Sequence, residues 1–117
     1  MQVRAIAKNI GIAPRKMRLV TNAVKGLRVN EALAYLQFIP NAGALPVSKA
    51  VASAAANAEN NYNLDPDSLY ILNITTDDAF RIKRIKPRSH GRVARMLHRY
   101  CHVTVIVSDD PADRGAR

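Results

Sequence analysis

The sequence has no tryptophan and only six other aromatic residues, two Phe and four Tyr, among 117 positions. A fold built on aromatic stacking platforms has little material here. Cys101 is the single cysteine, which excludes an internal disulfide and fits a reducing compartment. No run approaches the ~20 apolar residues of a membrane-spanning helix. The first nine residues alternate polar and apolar, with Arg4 and Lys8 among them. A signal peptide needs a continuous apolar stretch instead, so the expected location is cytoplasmic. Five glycines form no phosphate-binding loop and no nucleophile elbow. No carboxylates pair in an apolar setting. The adjacent pairs Asp77-Asp78 and Asp109-Asp110 are expected at strand ends, where neighbours point to opposite faces. No catalytic residue and no cofactor is expected, and the chain does not read as an enzyme.

Acids are the scarcest charge. Nine Asp and Glu stand against 18 Lys and Arg, for a net charge of +9 and an isoelectric point near 10.3. An excess this large on a small domain points to a polyanion partner. The charge also sits in blocks. Residues 1–28 carry seven bases and no acid. Residues 29–80 carry one base, Lys49, and six acids. Residues 81–99 carry eight bases and no acid: Arg81, Lys83, Arg84, Lys86, Arg88, Arg92, Arg95 and Arg99. Like charges at that density repel unless a partner neutralises them. Arg outnumbers Lys six to two in this stretch, and guanidinium groups contact phosphate through two parallel hydrogen bonds.

Apolar residues make up 48% of the chain, enough for a core, and the length suits one domain. Val3, Ala5 and Ala7 alternate with polar neighbours, which predicts a short strand ended by Gly11. Pro14 suits the first turn of a helix. Met17, Val20 and Val24 recur at helical spacing behind it, with Leu19 and Ala23 widening the inward stripe. Arg15, Arg18, Asn22 and Lys25 form its polar face, and Gly26 stops it. Asn30 is placed to cap a second helix, with Leu33 and Leu36 inward, ended before Pro40. Residues 41–61 are Ala-rich and predict the longest helix, with Ala44, Val47, Val51, Ala54, Ala55 and Ala58 in one stripe. Residues 69–76 and 101–108 alternate as strands, with Tyr70, Leu72 and Ile74 on one face of the first and Val103, Val105 and Val107 on one face of the second. The tail after Asp109 has turn formers and no periodicity, and residues 111–117 are expected to be a flexible tail.

The basic stretch lies between the last two strands. Residues 80 and 99 are about equidistant from a turn at 86–91, which predicts a long hairpin over about residues 78–101. Arms of about ten residues would reach roughly 33 Å at ~3.3 Å each. Val93, Met96, Leu97 and Tyr100 also match helical spacing, so a helix competes. A bare, self-repelling hairpin is marginal in water, so its tip is expected to be mobile alone and ordered on its partner. A thin basic hairpin suits crevices between RNA helices better than a regular DNA groove. The competing reading is a free nucleic-acid-binding regulator using residues 14–39 as a helix-turn-helix. His98, Cys101 and His102 raise a metal site. On a strand the two histidines stand ~13 Å apart, too far to share an ion, with Cys101 on the other face. No metal is expected.

Three motifs occur in order. The stretch Pro14-Arg15-Lys16-Met17-Arg18-Leu19-Val20, with Lys25-Gly26 and Val29, resembles the first helix of the bacterial large-subunit ribosomal protein L twenty-two family. Ser53-Ala54-Ala55-Ala56-Asn57-Ala58-Glu59-Asn60-Asn61 resembles its long helix. Lys83-Arg84-Ile85, Pro87-Arg88, Gly91-Arg92 and the run from His102 to Asp109 resemble its hairpin and last strand. In place of the family's frequent acid and Gly-Pro, this chain has Asp77-Asp78-Ala79-Phe80, which predicts a different bend at the hairpin base. His90, Lys86 and Tyr100-Cys101 depart too.

The resemblance implies an α+β fold: a small antiparallel sheet of about three strands packed against three helices, with a protruding basic hairpin. It implies a single RNA-binding domain over residues 1–110. It also implies a structural role in the large ribosomal subunit: binding its RNA, aiding assembly, and lining the nascent-peptide exit tunnel with the hairpin tip. The implied partners are large-subunit ribosomal RNA, neighbouring ribosomal proteins and the nascent polypeptide, with no membrane and no homo-oligomer. The RNA-binding set is Lys8, Arg15, Lys16, Arg18, Lys25, Arg81, Lys83, Arg84, Lys86, Arg88, Arg92, Arg95 and Arg99. The tunnel-lining tip is Arg88, Ser89, His90, Gly91 and Arg92.

Overall fold

The computed structural model describes residues 1–87, 91 and 93–110, with side chains omitted at 84–87 and 93–97. Strand β1 (Gln2–Ile10) leads into helix α1 (Pro14–Val24), α2 (Val29–Phe38) and α3 (Ala44–Tyr62). A 3-10 turn, Pro66–Ser68, precedes β2 (Tyr70–Pro87) and β3 (Val93–Ser108). The strands form one antiparallel sheet in the order β1-β3-β2. The α+β expectation of three strands against three helices holds.

One face of the sheet is the core. β3 supplies Cys101, Val103, Val105 and Val107, all fully buried, as the period of two requires. β1 adds Val3 and Ala5. Helix α3 faces them with Val47, Val51, Ala54 and Ala58. Alanine at this seam lets the helix axis approach the sheet closely. Helix α1 begins at Pro14, whose missing N–H falls where no intrahelical bond is made. It buries Met17, Val20 and Val24.

Local expectations fail in three places. Leu19 is 70% exposed and Ala23 is also exposed, so the inward stripe of α1 is narrower than its apolar sequence. Asn30 does not cap α2; Arg28 holds that position without a side-chain bond, and the Asn30 amide donates to Asp67 at 3.3 Å. In β2 Tyr70 and Ile74 are buried as the alternation implies, but Leu72 is only half-buried, and Ile71 and Thr76 are buried as well. Ile71 pairs with Val107 and Asn73 with Ile106. Leu72 is therefore an extra residue in the ladder, a bulge that puts Ile71 and Ile74, three positions apart, on the same face.

Two further bulges mark the hairpin base. β1 slips between Ala7 and Ile10 around Asn9 at φ 59°. β2 slips between Asp78 and Arg81, at the segment where the sequence departs from the family it resembles. Asp77-Asp78 thus lies inside β2, not at its end. β1 pairing ends at Ile10 opposite Cys101. Beyond it β2 and β3 pair only with each other, from Arg81 opposite Arg99 to Pro87 opposite Val93. This is the long hairpin, and residues 93–100 are strand, not helix. The molecule is 61 Å in its longest dimension. Of the expected tip only Gly91 is described, at φ 72°. Arg88, Ser89, His90 and Arg92, the tip's expected mobility and the expected flexible tail at 111–117 lie outside the described residues.

Candidate nucleic-acid interface

The two basic segments, more than 50 residues apart in sequence, meet at the hairpin base. α1 lies against β2, and one contact fixes how it lies. The Arg18 guanidinium Nη2 donates to the Thr76 carbonyl at 3.1 Å. Beneath it the buried Thr21 hydroxyl donates to the Arg18 carbonyl at 3.3 Å and lies 3.4 Å from the Thr76 hydroxyl. Buried hydroxyls need such partners, and these hold α1 in register with β2. The α1–α2 connection completes the edge. Gly26 N–H donates to the Ile71 carbonyl at 3.1 Å, and Ile71 N–H donates to the Leu27 carbonyl at 2.8 Å. Gly26 adopts φ 87° there, a conformation that favours glycine.

This arrangement brings Arg15, Arg18, Arg81 and Arg99 around one groove of about 190 Å³, with Asp78 and Tyr100. A neighbouring groove of about 440 Å³ is lined by Lys16, His98 and Arg99. Arg81 stands directly opposite Arg99 in the ladder. Like charges at such a pair destabilise a sheet. Among the described residues the single ion pair is the Met1 amine with Asp109 at 3.3 Å. No arginine of the groove forms an ion pair with a described acid, although Asp78 lines the same groove.

Lys83 is exposed and shares a strand face with Arg81. Arg84, Lys86 and Arg95 take ladder positions opposite Met96, Ala94 and Ile85. The fold does not bring in Lys8, exposed on the far strand β1, or Lys25, at the other end of α1. Three further exposed bases, Arg4, Arg28 and Lys49, lie outside the expected set and sit singly rather than in a run. A ring stack, which charge and periodicity do not reveal, lies beside the groove. Phe80 and Tyr100 lie with centroids 4.3 Å apart and planes at 17°, with His98 edge-on to Tyr100 at 4.8 Å. Their near-equal distance from the turn is the signal that marks them. His102 is engaged on β3, its Nδ1 accepting from Asn9 N–H at 3.1 Å.

Helix α2, which would be the reading helix of a helix-turn-helix, carries Glu31 as its one charge and no base. It offers no cation to phosphate, which weakens the regulator alternative.

Fold and surface together define a basic α+β protein, shaped to meet a polyanion along one edge and a projecting hairpin. Comparison with known proteins is specific. A profile described as ribosomal protein L22p/L17e matches residues 5–108. The large ribosomal subunit protein uL22 of Desulfitobacterium hafniense is 45% identical over 106 residues, covering 91% of this chain and 93% of its own. That of Thermomicrobium roseum is 43% identical over 116 residues, covering 99% and 98%. That of Dehalococcoides mccartyi is 44% identical over 109 residues, covering 93% and 100%. The chain belongs to the ribosomal protein L22p/L17e family. Its role is that of a structural, RNA-binding ribosomal protein, not an enzyme. No helix among the described residues is long and apolar enough to cross a membrane.

Proposed function

We propose that this protein is a structural constituent of the large ribosomal subunit in the cytoplasm, that it aids subunit assembly, and that its hairpin tip lines the nascent-peptide exit tunnel. Residues 1–110 act as one RNA-binding domain. The observation that carries this reading is the convergence of Arg15 and Arg18 from α1 with Arg81 and Arg99 from the hairpin base. Four guanidinium groups from three elements suit RNA phosphates that approach one another at a turn. Lys16, Lys83, Arg84, Lys86 and Arg95 extend the contact along the hairpin, and Lys8 and Lys25 extend it at the flanks. Arg88 to Arg92 face the tunnel and the nascent polypeptide. Neighbouring ribosomal proteins meet the remaining surface. The relatives carry large-subunit names, which supports that subunit here.

Co-sedimentation tests the assignment. Tagged protein from a lysate is spun through a high-salt sucrose cushion and each ribosomal fraction is blotted. Stoichiometric recovery with large subunits after the salt wash is the expected result. Recovery in the soluble fraction alone overturns it.

A further inference from the structure

The groove farthest from the hairpin has a different chemistry from the arginine cluster. It is about 470 Å³ and lies between α3 and the edge strand β1, lined by Gln2, Arg4, Asn57, Asn61, Tyr62 and Ile106, with Val3 beneath. Such a volume falls within the ~300–1,000 Å³ of small-ligand sites. Arg4 pairs with Ile106 in the ladder, seven residues along β3 from Arg99, or roughly 23 Å. The two grooves are separate places on the molecule.

Asn57 and Asn61 stand one turn apart on α3, on one helix face. Among the described residues neither carboxamide makes a hydrogen bond, although Asn57 is half-buried. Each presents two donors and an acceptor. Arg4 has no acid partner among the described residues, so the groove is positive but not strongly so. Tyr62 keeps an exposed ring, 48% accessible, at the last residue of α3. The helix ends just past it at Asn63, at φ 55°, whose N–H bonds to the Ala58 and Glu59 carbonyls. Two unspent amides, one cation and one exposed ring form a site for a flat heterocycle with polar edges on an anionic chain.

We propose that this groove binds an unstacked nucleobase of RNA: the base stacks on Tyr62, Asn57 and Asn61 bond its edge, and Arg4 meets the adjoining phosphate. Splayed bases are recognised by aromatic stacking and edge hydrogen bonds of this kind. The inference rests on the RNA-binding reading above and adds a second contact of another type. A docked protein segment is less suited, because the groove has little apolar lining to bury.

The test measures binding of the full chain to a transcript of large-subunit ribosomal RNA over a salt series. Asn57→Ala with Asn61→Ala, and separately Tyr62→Leu, should each weaken binding about 5- to 100-fold. Because neutral groups release no counterions, the slope of log K against log salt should not change. Tyr62→Phe, which keeps the ring, should restore binding. Unchanged thermal midpoints confirm that the variants fold, as expected for polar surface residues. If wild type binds and the Asn and Tyr62→Leu variants bind equally well, the nucleobase site is overturned and the general reading stands. If wild type shows no salt-dependent binding, both are overturned. Loss through a changed slope would mean an electrostatic effect and also overturns the site.

Discussion

Burial pushes the Cys101 thiol above its ordinary pKa; the Arg18 guanidinium partly offsets this and Asp78 adds to it. The raised value belongs to the folded state, so the unfolded chain loses this proton first as pH rises. Stability is therefore full below the ordinary thiol pKa and falls as pH climbs through it toward the folded value. Cys101→Ala should flatten that alkaline decline relative to wild type in thermal melts taken from pH 7 to 10. An identical decline in both proteins would show that the thiol is not its source. Met17 is the other decisive single residue. It is fully buried where α1 meets the sheet, and its sulfur would lie 3.2 Å from a Cβ placed on Gly43. Met17→Ala should cost about 2–5 kcal/mol in urea unfolding. Leu19→Ala, two positions along but 70% exposed, should cost under about 0.5 kcal/mol.

At the scale of the element, the hairpin base holds opposing demands. Arg81 faces Arg99 across the ladder and both border the groove shared with Arg15 and Arg18. Stability of the free protein would favour an opposite charge there, while RNA binding favours the pair as it stands. Arg81→Glu should therefore raise the unfolding free energy of the isolated protein by roughly 0.2–1 kcal/mol and weaken its binding to ribosomal RNA. Measuring both on the same preparation checks this; a substitution that lowers both would mean that Arg81 is structural. The ring stack of Phe80 on Tyr100 works the other way, adding contact between the arms just where β1 ends and the ladder narrows to two strands.

At the scale of the whole molecule, charge is set out along a body 61 Å long. The acid-free segments 1–28 and 81–99 frame an acidic centre, and the sheet carries both toward the hairpin base. Phosphate binding by such a surface must release counterions. Each lost phosphate contact should reduce the slope of log K against log salt by roughly 0.7–0.9. Arg81→Gln with Arg99→Gln should lower it by about 1.4–1.8, if each contacts one phosphate. A slope equal to the wild type's would place these arginines away from RNA phosphate. The contrast with the Asn57 and Asn61 variants then separates charge-driven contact from base recognition within one protein.

The order of elements, the three strands and three helices, the inward faces of α3 and β3, and the basic hairpin are all legible in the sequence. They rest on periodicity and charge, which are local properties. Family membership is legible too, because its motifs are runs of adjacent residues. The inward face of β2 is legible only in part: Tyr70 and Ile74 are buried, but so is Ile71 between them. A bulge at Leu72 reverses the alternation, and a bulge forms to satisfy the partner strand, not the strand's own pattern. The partner of Asn30 is likewise decided by where Asp67 comes to rest. Arg18 reads as a free surface base, yet tertiary packing turns it toward the Thr76 carbonyl. The groove of Arg4, Asn57, Asn61 and Tyr62 carries no sequence signal, since its residues are drawn from β1 and α3 and meet only when the helix packs on the sheet. Sequence by itself determined the kind of partner, a polyanion, because net charge and its blocks survive any folding. Tertiary structure decided where, because a site needs residues brought side by side from distant parts of the chain.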